Sequence, residues 1–422
     1  MNPVLKCKNN RKIKTKVFSV HLSFLFLLNF SFSIEQKKYS LPEIIEIGIN
    51  NNPKILAQFQ EVAAKKASFQ SSKLLFNPEI EYHRGRGKSY ETEQRVNTEG
   101  FSISQSLENP VKRKYRIQMF EKDWEAAQYN LSISKLEVIF KIKSHFYEIL
   151  LLNNKEEIAL KNLNSLKEIH ALIKKRVQLG EVKELEAIKL YVEILKAQND
   201  LNKVQTELKL AKENLNKFLG NSLPSDYSIR GNLNYVLLDK EEKSLINMAL
   251  LSHPLIRKKW KEVELAQSNV NYVRWQRLPD PKLSGFINKE IDGKNKGIGI
   301  SMNIPLWNFK SKEIAVAKSL AQKQEEELKS LKLEITTDIK TKFSQLKLSE
   351  QTIRLFLSGL LKEAEESLKI AEVSYKHGEI SLIDYLDSQR TYYSILKDYN
   401  DSLYNWNANK ASLEKSVGEE LE

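Results

Sequence analysis

The chain has 422 residues but only 14 glycines and 10 prolines, so the elements between these breakers must be long, which disfavours a loop-rich enzyme. Its formal charge is +13, yet Lys6, Lys8, Arg11, Lys12, Lys14 and Lys16 supply nearly half of that and all precede an apolar stretch from Val17 to Phe32. Discounting them removes the main support for nucleic-acid binding, and no nucleic-acid partner is expected.

Residues 1–33 have the layout of a secretory signal peptide: a basic start, an apolar run, and the small pair Ser31 and Ser33. Ser19, His21, Ser23 and Asn29 interrupt the run, which falls short of the ~20 residues that a helical span needs. Cys7, the single cysteine, lies before the run, so the mature chain is expected to carry no thiol. Histidines 21, 83, 145, 170, 253 and 377 are scattered singly, without metal-ligand spacing. No metal site and no cofactor are expected, and no phosphate loop or nucleophile elbow is visible.

The remaining elements come twice. The first repeat, 34–220, starts with a helix through Leu41 to Ile55, continues with strands at 77–84 and 99–107, and ends with long helices at 111–179 and 182–219. A linker follows at 221–241. The second repeat, 242–418, repeats the succession: a helix, strands at 281–288 and 296–304, and long helices at 308–377 and 380–417, with a tail at 419–422. Four landmarks keep their order and spacing: Pro53 with Pro254, Glu61-Val62 with Glu262-Val263, Phe101 to Ser104 with Ile298 to Ser301, and Leu179-Gly180-Glu181 with His377-Gly378-Glu379.

From Val111 to Leu179 there is neither proline nor glycine. At ~1.5 Å per residue such a helix is on the order of 100 Å long, more than a compact single-core domain needs. Leu163, Leu166, His170, Ile173 and Val177 follow three-and-four spacing, as do Ile353, Leu357, Leu360, Ala364, Ser367, Ala371 and Ser374, and Leu201, Val204, Leu208, Ala211, Leu215 and Phe218. The spacing predicts long helices packed side by side as coiled coils.

The strands have a different period. Phe101, Ile103, Gln105 and Leu107 alternate with serines, and Ile298, Ile300, Met302 and Ile304 alternate with Gly299, Ser301 and Asn303. Each is about the ~9–11 residues of a tilted membrane-spanning strand, with polar connections at 85–98 and 289–295. Two soluble hairpins capping a coiled coil are the alternative. Four strands cannot close on themselves, and an open edge in lipid leaves backbone groups without partners, so several subunits must share one barrel.

With these residues in view, the mature chain resembles the TolC-type outer-membrane efflux protein family. Ser104 to Arg116 (SQSLENPVKRKYR) resembles the first strand-to-helix corner of its heavy-metal cation branch, with Pro110-Val111 where that branch has Pro-Gly or Gly. Ile304-Pro305-Leu306-Trp307 resembles the second corner. The resemblance implies a mainly α fold with a transmembrane β part: four strands per subunit in a shared twelve-stranded trimeric barrel, continued by a long α-helical barrel. It also implies a homotrimer in outer-membrane lipid that docks with a periplasmic adaptor and an inner-membrane pump, of the resistance-nodulation-division type, and does no catalysis of its own. By the same resemblance, the turns at Gly180, Glu181 and Val182 and at Gly378, Glu379 and Ile380 are the adaptor-docking tips. Asp384 and Asp387, with Glu186 in the first repeat, are the channel constriction. Three-residue spacing puts both aspartates on one helical face, although acid enrichment in a helix's first turn is the alternative reading. The competing function is a periplasmic coiled-coil scaffold without a pore.

Overall fold

A computed structural model of the chain describes residues 37–89, 91 and 93–421. The expected signal peptide at 1–33, with Cys7, lies outside the described residues.

A short strand β1 (Lys38–Tyr39) leads into α1 (Leu41–Asn51) and α2 (Pro53–Ser72). Proline ends one helix and opens the next: it occupies the first position of α2, where its missing N–H costs nothing, and the Asn52 side chain accepts from the Lys54 N–H at 2.9 Å. The second repeat builds the same joint between α5 (Glu242–Ser252) and α6 (Pro254–Trp275), with His253 Nδ1 accepting from the Leu255 N–H at 3.1 Å. The single opening helix expected in each copy is therefore a pair.

Strands β2 (Glu79–Lys88) and β3 (Arg95–Ser106) form one hairpin, β5 (Lys282–Lys289) and β6 (Lys294–Ser301) the other. They join antiparallel in the order β2-β3-β5-β6, which leaves β2 and β6 as unpaired edges. Compared with the expected 77–84, β2 starts later and runs further, because Arg84 to Lys88 stay paired with Arg95 to Glu99. Strand β6 likewise starts at Lys294 and ends at Ser301, not 296–304, because its partner β5 runs only from Lys282, opposite Ser301, to Lys289, opposite Lys294.

The first repeat closes with α3 (Pro110–Gln178), 69 unbroken residues, and α4 (Glu184–Phe218). The second closes with α7 (Ser311–Leu355), a π turn at Phe356–Leu360, α8 (Leu361–His377) and α9 (Leu382–Val417). The single helix expected over 308–377 is thus interrupted: Gly359 adopts φ +148°, a conformation closed to most side chains. The π turn shifts the apolar register. Leu357 turns out to solvent, and the buried series becomes Ile353, Phe356, Ala364, Ala371 and Tyr375.

Among the described residues two large cores and a small α6–α7 contact of Val270 with Ala317 and Ala321 divide this length. The larger packs α3 residues Val138 to Leu152 against α1, α4, α5, α7 and α9. Residues 221–241, read as a linker, belong to this core: strand β4 (Ser228–Ile229) pairs with β1, and Leu223, Tyr227, Leu233 and Leu238 are buried. The tail belongs to it as well, since Leu421 is buried and Glu420 reaches Lys143 at 2.8 Å. A smaller core joins Ala159 to Ile173 of α3 with Leu190 to Leu201 of α4 and Ala371 to Leu386 of α8 and α9. The layer between the two cores is polar: Asn154 donates to Asn400 at 2.7 Å, Gln205 to Glu156 at 2.9 Å, and Lys155 pairs with Asp401 at 2.6 Å.

Helix packing runs in the same order as the sheet. Helix α3 contacts α2 and α4 on one side and α6 and α9 on the other, and these in turn contact α7 and α8. The outermost members, α2/α4 and α7/α8, each keep a face without a neighbour. On α4 that face carries the exposed stripe Leu185, Ile188, Val192 and Leu195, and on α8 it carries Ile370 and Val373.

Candidate channel wall, gate and docking tip

Register separates the two faces of the sheet. Ile80 lies opposite Ile103, and Tyr82 opposite Phe101, which faces Ile287. These side chains are exposed, as are Ile298 and Ile300 on the same face. The other face carries Ser102, Ser104, Ser284, Gly297 and Gly299 with Glu81 and His83, and one large apolar side chain, Phe286, opposite Ser102 and Gly297. An outward apolar face and a small, polar inner one are what a barrel wall between lipid and water requires. Among the described residues no helix is long and apolar enough to cross a membrane.

Where strand becomes helix, the chain is held by a buried ion pair. Glu108 accepts from Arg116 Nε at 2.8 Å and Nη2 at 2.7 Å, and Arg116 Nη1 donates to the Ser72 carbonyl at 2.8 Å. Asn109 caps α3 by accepting from the Val111 N–H at 2.9 Å, while its own N–H donates to Asp280 at 3.0 Å. Lys112 pairs with Asp280 beside it. In the sequence this corner is legible only as a resemblance; the pairing of Glu108 with Arg116 eight residues on, and of Lys112 with Asp280 from the other repeat, depends on how the segments fold together.

At the opposite end both hairpins turn in the same way. Gly180 (φ +77°) and Gly378 (φ +80°) are left-handed. The Gly180 N–H donates to the Val177 carbonyl at 3.0 Å and the Glu181 N–H to Arg176 at 2.9 Å; Gly378 to Tyr375 at 3.0 Å and Glu379 to Ser374 at 2.9 Å repeat the pattern. This paired closure satisfies the last carbonyls of α3 and α8. Val182 and Ile380 fold back onto the lower core, while Gly180, Glu181, Gly378 and Glu379 stay exposed.

The two hairpins are tied together near these tips. Arg176 donates to the Lys376 carbonyl, and Arg390 of α9 pairs with Glu193 of α4 at 2.8 Å. Gln389 donates to Asn162 at 3.1 Å, and the Tyr375 and Tyr385 rings stack 5.5 Å apart. Asp384 and Asp387 are both exposed on the first turns of α9. The Asp384 carboxylate accepts from the Ser381 hydroxyl at 2.7 Å and its N–H at 3.2 Å, closing a capping box, so this residue has a local structural job as well. Glu186, half-buried on α4, sits near Tyr375 instead; burial first, then the Glu186 charge, pushes the Tyr375 phenol up to about 12. No group of three or more histidine, cysteine or acidic side chains among the described residues is placed to hold a metal ion.

Residues 45–221 and 245–419 each match the family described as outer membrane efflux protein, one match per repeat. The chain belongs to this family. It is 21% identical over 354 residues to the cobalt-zinc-cadmium resistance protein CzcC of Cupriavidus metallidurans, covering 83% of each chain. It superposes on the outer-membrane channel OprN with a TM-score of 0.77 at 17% identity, over 90% of this chain and 89% of that one. On the CmeC outer membrane channel of Campylobacter jejuni the TM-score is 0.76 at 17% identity, over 90% and 85%. On the MtrE outer membrane channel of Neisseria gonorrhoeae it is 0.77 at 16%, over 90% and 89%. The protein is an outer-membrane efflux channel subunit of the TolC type, its four strands lying in the membrane and its long helices extending into the periplasm.

Proposed function

We propose that three copies of this efflux protein close one twelve-stranded barrel and one helical tube, forming a passive exit duct for a periplasmic adaptor and an inner-membrane pump. The observation that carries this reading is the matched pair of free flanks. Strand β6 and helices α7/α8 end one side of the subunit, and β2 with α2/α4 ends the other. Strand β2 runs antiparallel to β6, so each edge can take the other from a neighbouring copy and continue the alternation around a ring. The apolar stripe on α4 would meet its counterpart on α8 in the same contact. Purified in mild detergent, the mature chain is expected to run as a heat-sensitive oligomer with three times the subunit mass by light scattering. A stable monomer overturns the proposal.

The exposed turns at Gly180-Glu181 and Gly378-Glu379 are the surfaces offered to the adaptor, and Asp387 with Asp384 forms the acidic constriction. Threefold repetition of exposed carboxylates at one level would attract cations and repel anions. Because Asp384 also caps α9, Asp387→Asn is the cleaner test: it is expected to weaken block by divalent cations in planar bilayers with the oligomer intact. Unchanged block removes Asp387 from the gate. The cargo reading follows the similarity to the cobalt-zinc-cadmium resistance protein: the partner pump delivers divalent metal cations. A deletion strain sensitised to zinc, cobalt or cadmium supports this, whereas sensitisation to drugs alone rejects it.

A further inference from the structure

The two rims of the apolar band on the lipid-facing side of the sheet differ in chemistry. Toward the helices, the rim is rich in apolar and aromatic side chains, with Phe76, Leu306, Trp307 and Phe309 exposed, and the arginines beside them are engaged: Arg116 lies over the Phe76 ring and pairs with Glu108, and Arg277 donates to the Phe309 carbonyl at 3.0 Å. Toward the hairpin tips, which face away from the periplasm, the same face turns cationic. Period-two alternation places Arg86 in line with Tyr82, Arg95 with Phe101, Lys289 with Ile287, and Lys294 and Lys296 with Ile298. All five cations are exposed, and none forms an ion pair among the described residues. Arg84 and Lys88 on this face have only long contacts, 3.6 Å each, to Glu99 and Glu93.

A lumen-facing cluster would act on the cargo; this one does not face the lumen. It shares its face with Ile80, Tyr82, Phe101 and Ile103, and it begins where the apolar residues stop. At ~3.4 Å per residue, the eight residues from Phe76 to Arg84 and the ten from Lys296 to Leu306 reach at most roughly 27–34 Å along the chain, enough for tilted strands to cross the ~25 Å apolar band of a barrel. Cations at the edge of hydrocarbon need anions beside them, because exposed charge next to a low-dielectric slab is poorly solvated. Among the described residues the strands supply one acid on this face, Glu99, against seven cations, while the hairpin turns add Glu93, 3.6 Å from Lys88, with Glu91, Glu290 and Asp292 at the tips.

We infer that this rim binds the phosphate groups of anionic lipid headgroups in the outward-facing leaflet, which fixes the depth of the barrel in the membrane. The inference goes beyond the exit-duct reading but rests on its placing of the sheet in lipid. Lysine and arginine close to an anionic lipid surface each contribute about a fivefold gain in binding.

The test uses the full mature chain, purified as its oligomer in neutral detergent and mixed with bis-phosphorylated lipid A, with the same lipid stripped of phosphate, or with inorganic phosphate as competitor. Bound lipid per subunit is counted by native mass spectrometry. Wild type is expected to retain the phosphorylated lipid and not the stripped one, with no competition from millimolar inorganic phosphate. K289Q/K294Q/K296Q is expected to lose retention by about fivefold for each cation removed, and K289R/K294R/K296R to keep it. Lys294→Gln alone, with one fivefold step expected, carries the same comparison should the triple glutamine variant fail to assemble. Retention that ignores the phosphates, or that survives in the glutamine variants, overturns the inference. So does loss of retention in the arginine variant. A wild-type chain that runs as a monomer sinks the shared-barrel reading, whereas an intact, conducting oligomer with phosphate-independent retention sinks this one alone.

Discussion

The two long helices occupy equivalent places in the two repeats and behave differently. Helix α3 is continuous for 69 residues, while its counterpart is broken into α7 and α8 around Gly359. The surroundings differ in the same sense. Helix α3 is flanked on both sides, by α2 and α4 and by α6 and α9, so any departure from straightness would open a gap in packed core. The α7/α8 rod contacts neighbours on one side only, and its π turn lies between the upper core, which ends near Ile353 and Phe356, and the lower, which resumes at Ala371. Continuity is enforced by neighbours, and a break is tolerated where neighbours are missing and one core has ended.

The strongest way to break this comparison is to unseat α3 at its middle. Lys143 is buried there between Glu414 at 2.7 Å and Glu420 at 2.8 Å, joining α3 to α9 and the tail. Lys143→Ala leaves the largely buried Glu414 carboxylate unpaired and is expected to cost about 3–5 kcal/mol, read as a large drop in thermal midpoint of the purified protein. Burial alone would lower the Lys143 pKa, but the two glutamates outweigh it and hold it raised. The pair's contribution is therefore present below the ordinary value of 10.5 and lost as pH rises through the raised one. An Ala variant that melts like wild type breaks the claim that α3 is clamped here.

Next in size is the break itself. Gly359→Ala puts a side chain where φ is +148° and is expected to cost about 1 kcal/mol, or to straighten the rod and restore Leu357 to the buried face. Accessibility of a cysteine placed at Leu357 distinguishes the two; no loss of stability together with unchanged labelling rejects the special role of the glycine. Smallest is the tie between Arg390 and Glu193, expected to contribute under about 1 kcal/mol because Arg390 is largely exposed. Burial would raise the Glu193 carboxyl, but Lys196 and Arg390 outweigh it and hold it lowered. Its contribution is present above the ordinary carboxylate range and fades as pH falls through the lowered value, loosening the hairpins in acid. The distance between spin labels placed on α4 and α9 should grow as pH falls below the ordinary glutamate range in wild type and should show no such step in Glu193→Gln.

Periodicity made the architecture readable. The three-and-four spacing of Leu163, Leu166 and Ile173 matches their burial, and the alternation of Phe101 and Ile103 with serines matches the two faces of β3. Gly180 and Gly378 were readable because a left-handed helix stop is a local event. The heptads around Leu357 were misleading, since a glycine inside a helical pattern can be absorbed or can shift the register, and only the packing on either side decides which. Asp384 shows the same limit from the other direction: its spacing to Asp387 signals a shared face, but its bond to Ser381 is visible only in three dimensions.

The amino-acid sequence by itself determined the long helices, the two-faced strands, the duplication and the glycine turns, because each is written in contacts between residues close along the chain. Tertiary structure alone decided that residues 221–241 send Leu223, Tyr227, Ile229, Leu233 and Leu238 into the larger core, that Lys143 is held by Glu414 and Glu420, and that one end of the lipid-facing sheet collects cations. Those outcomes depend on segments distant in sequence meeting at one place, and no local period records where a strand or a buried lysine will find its partner.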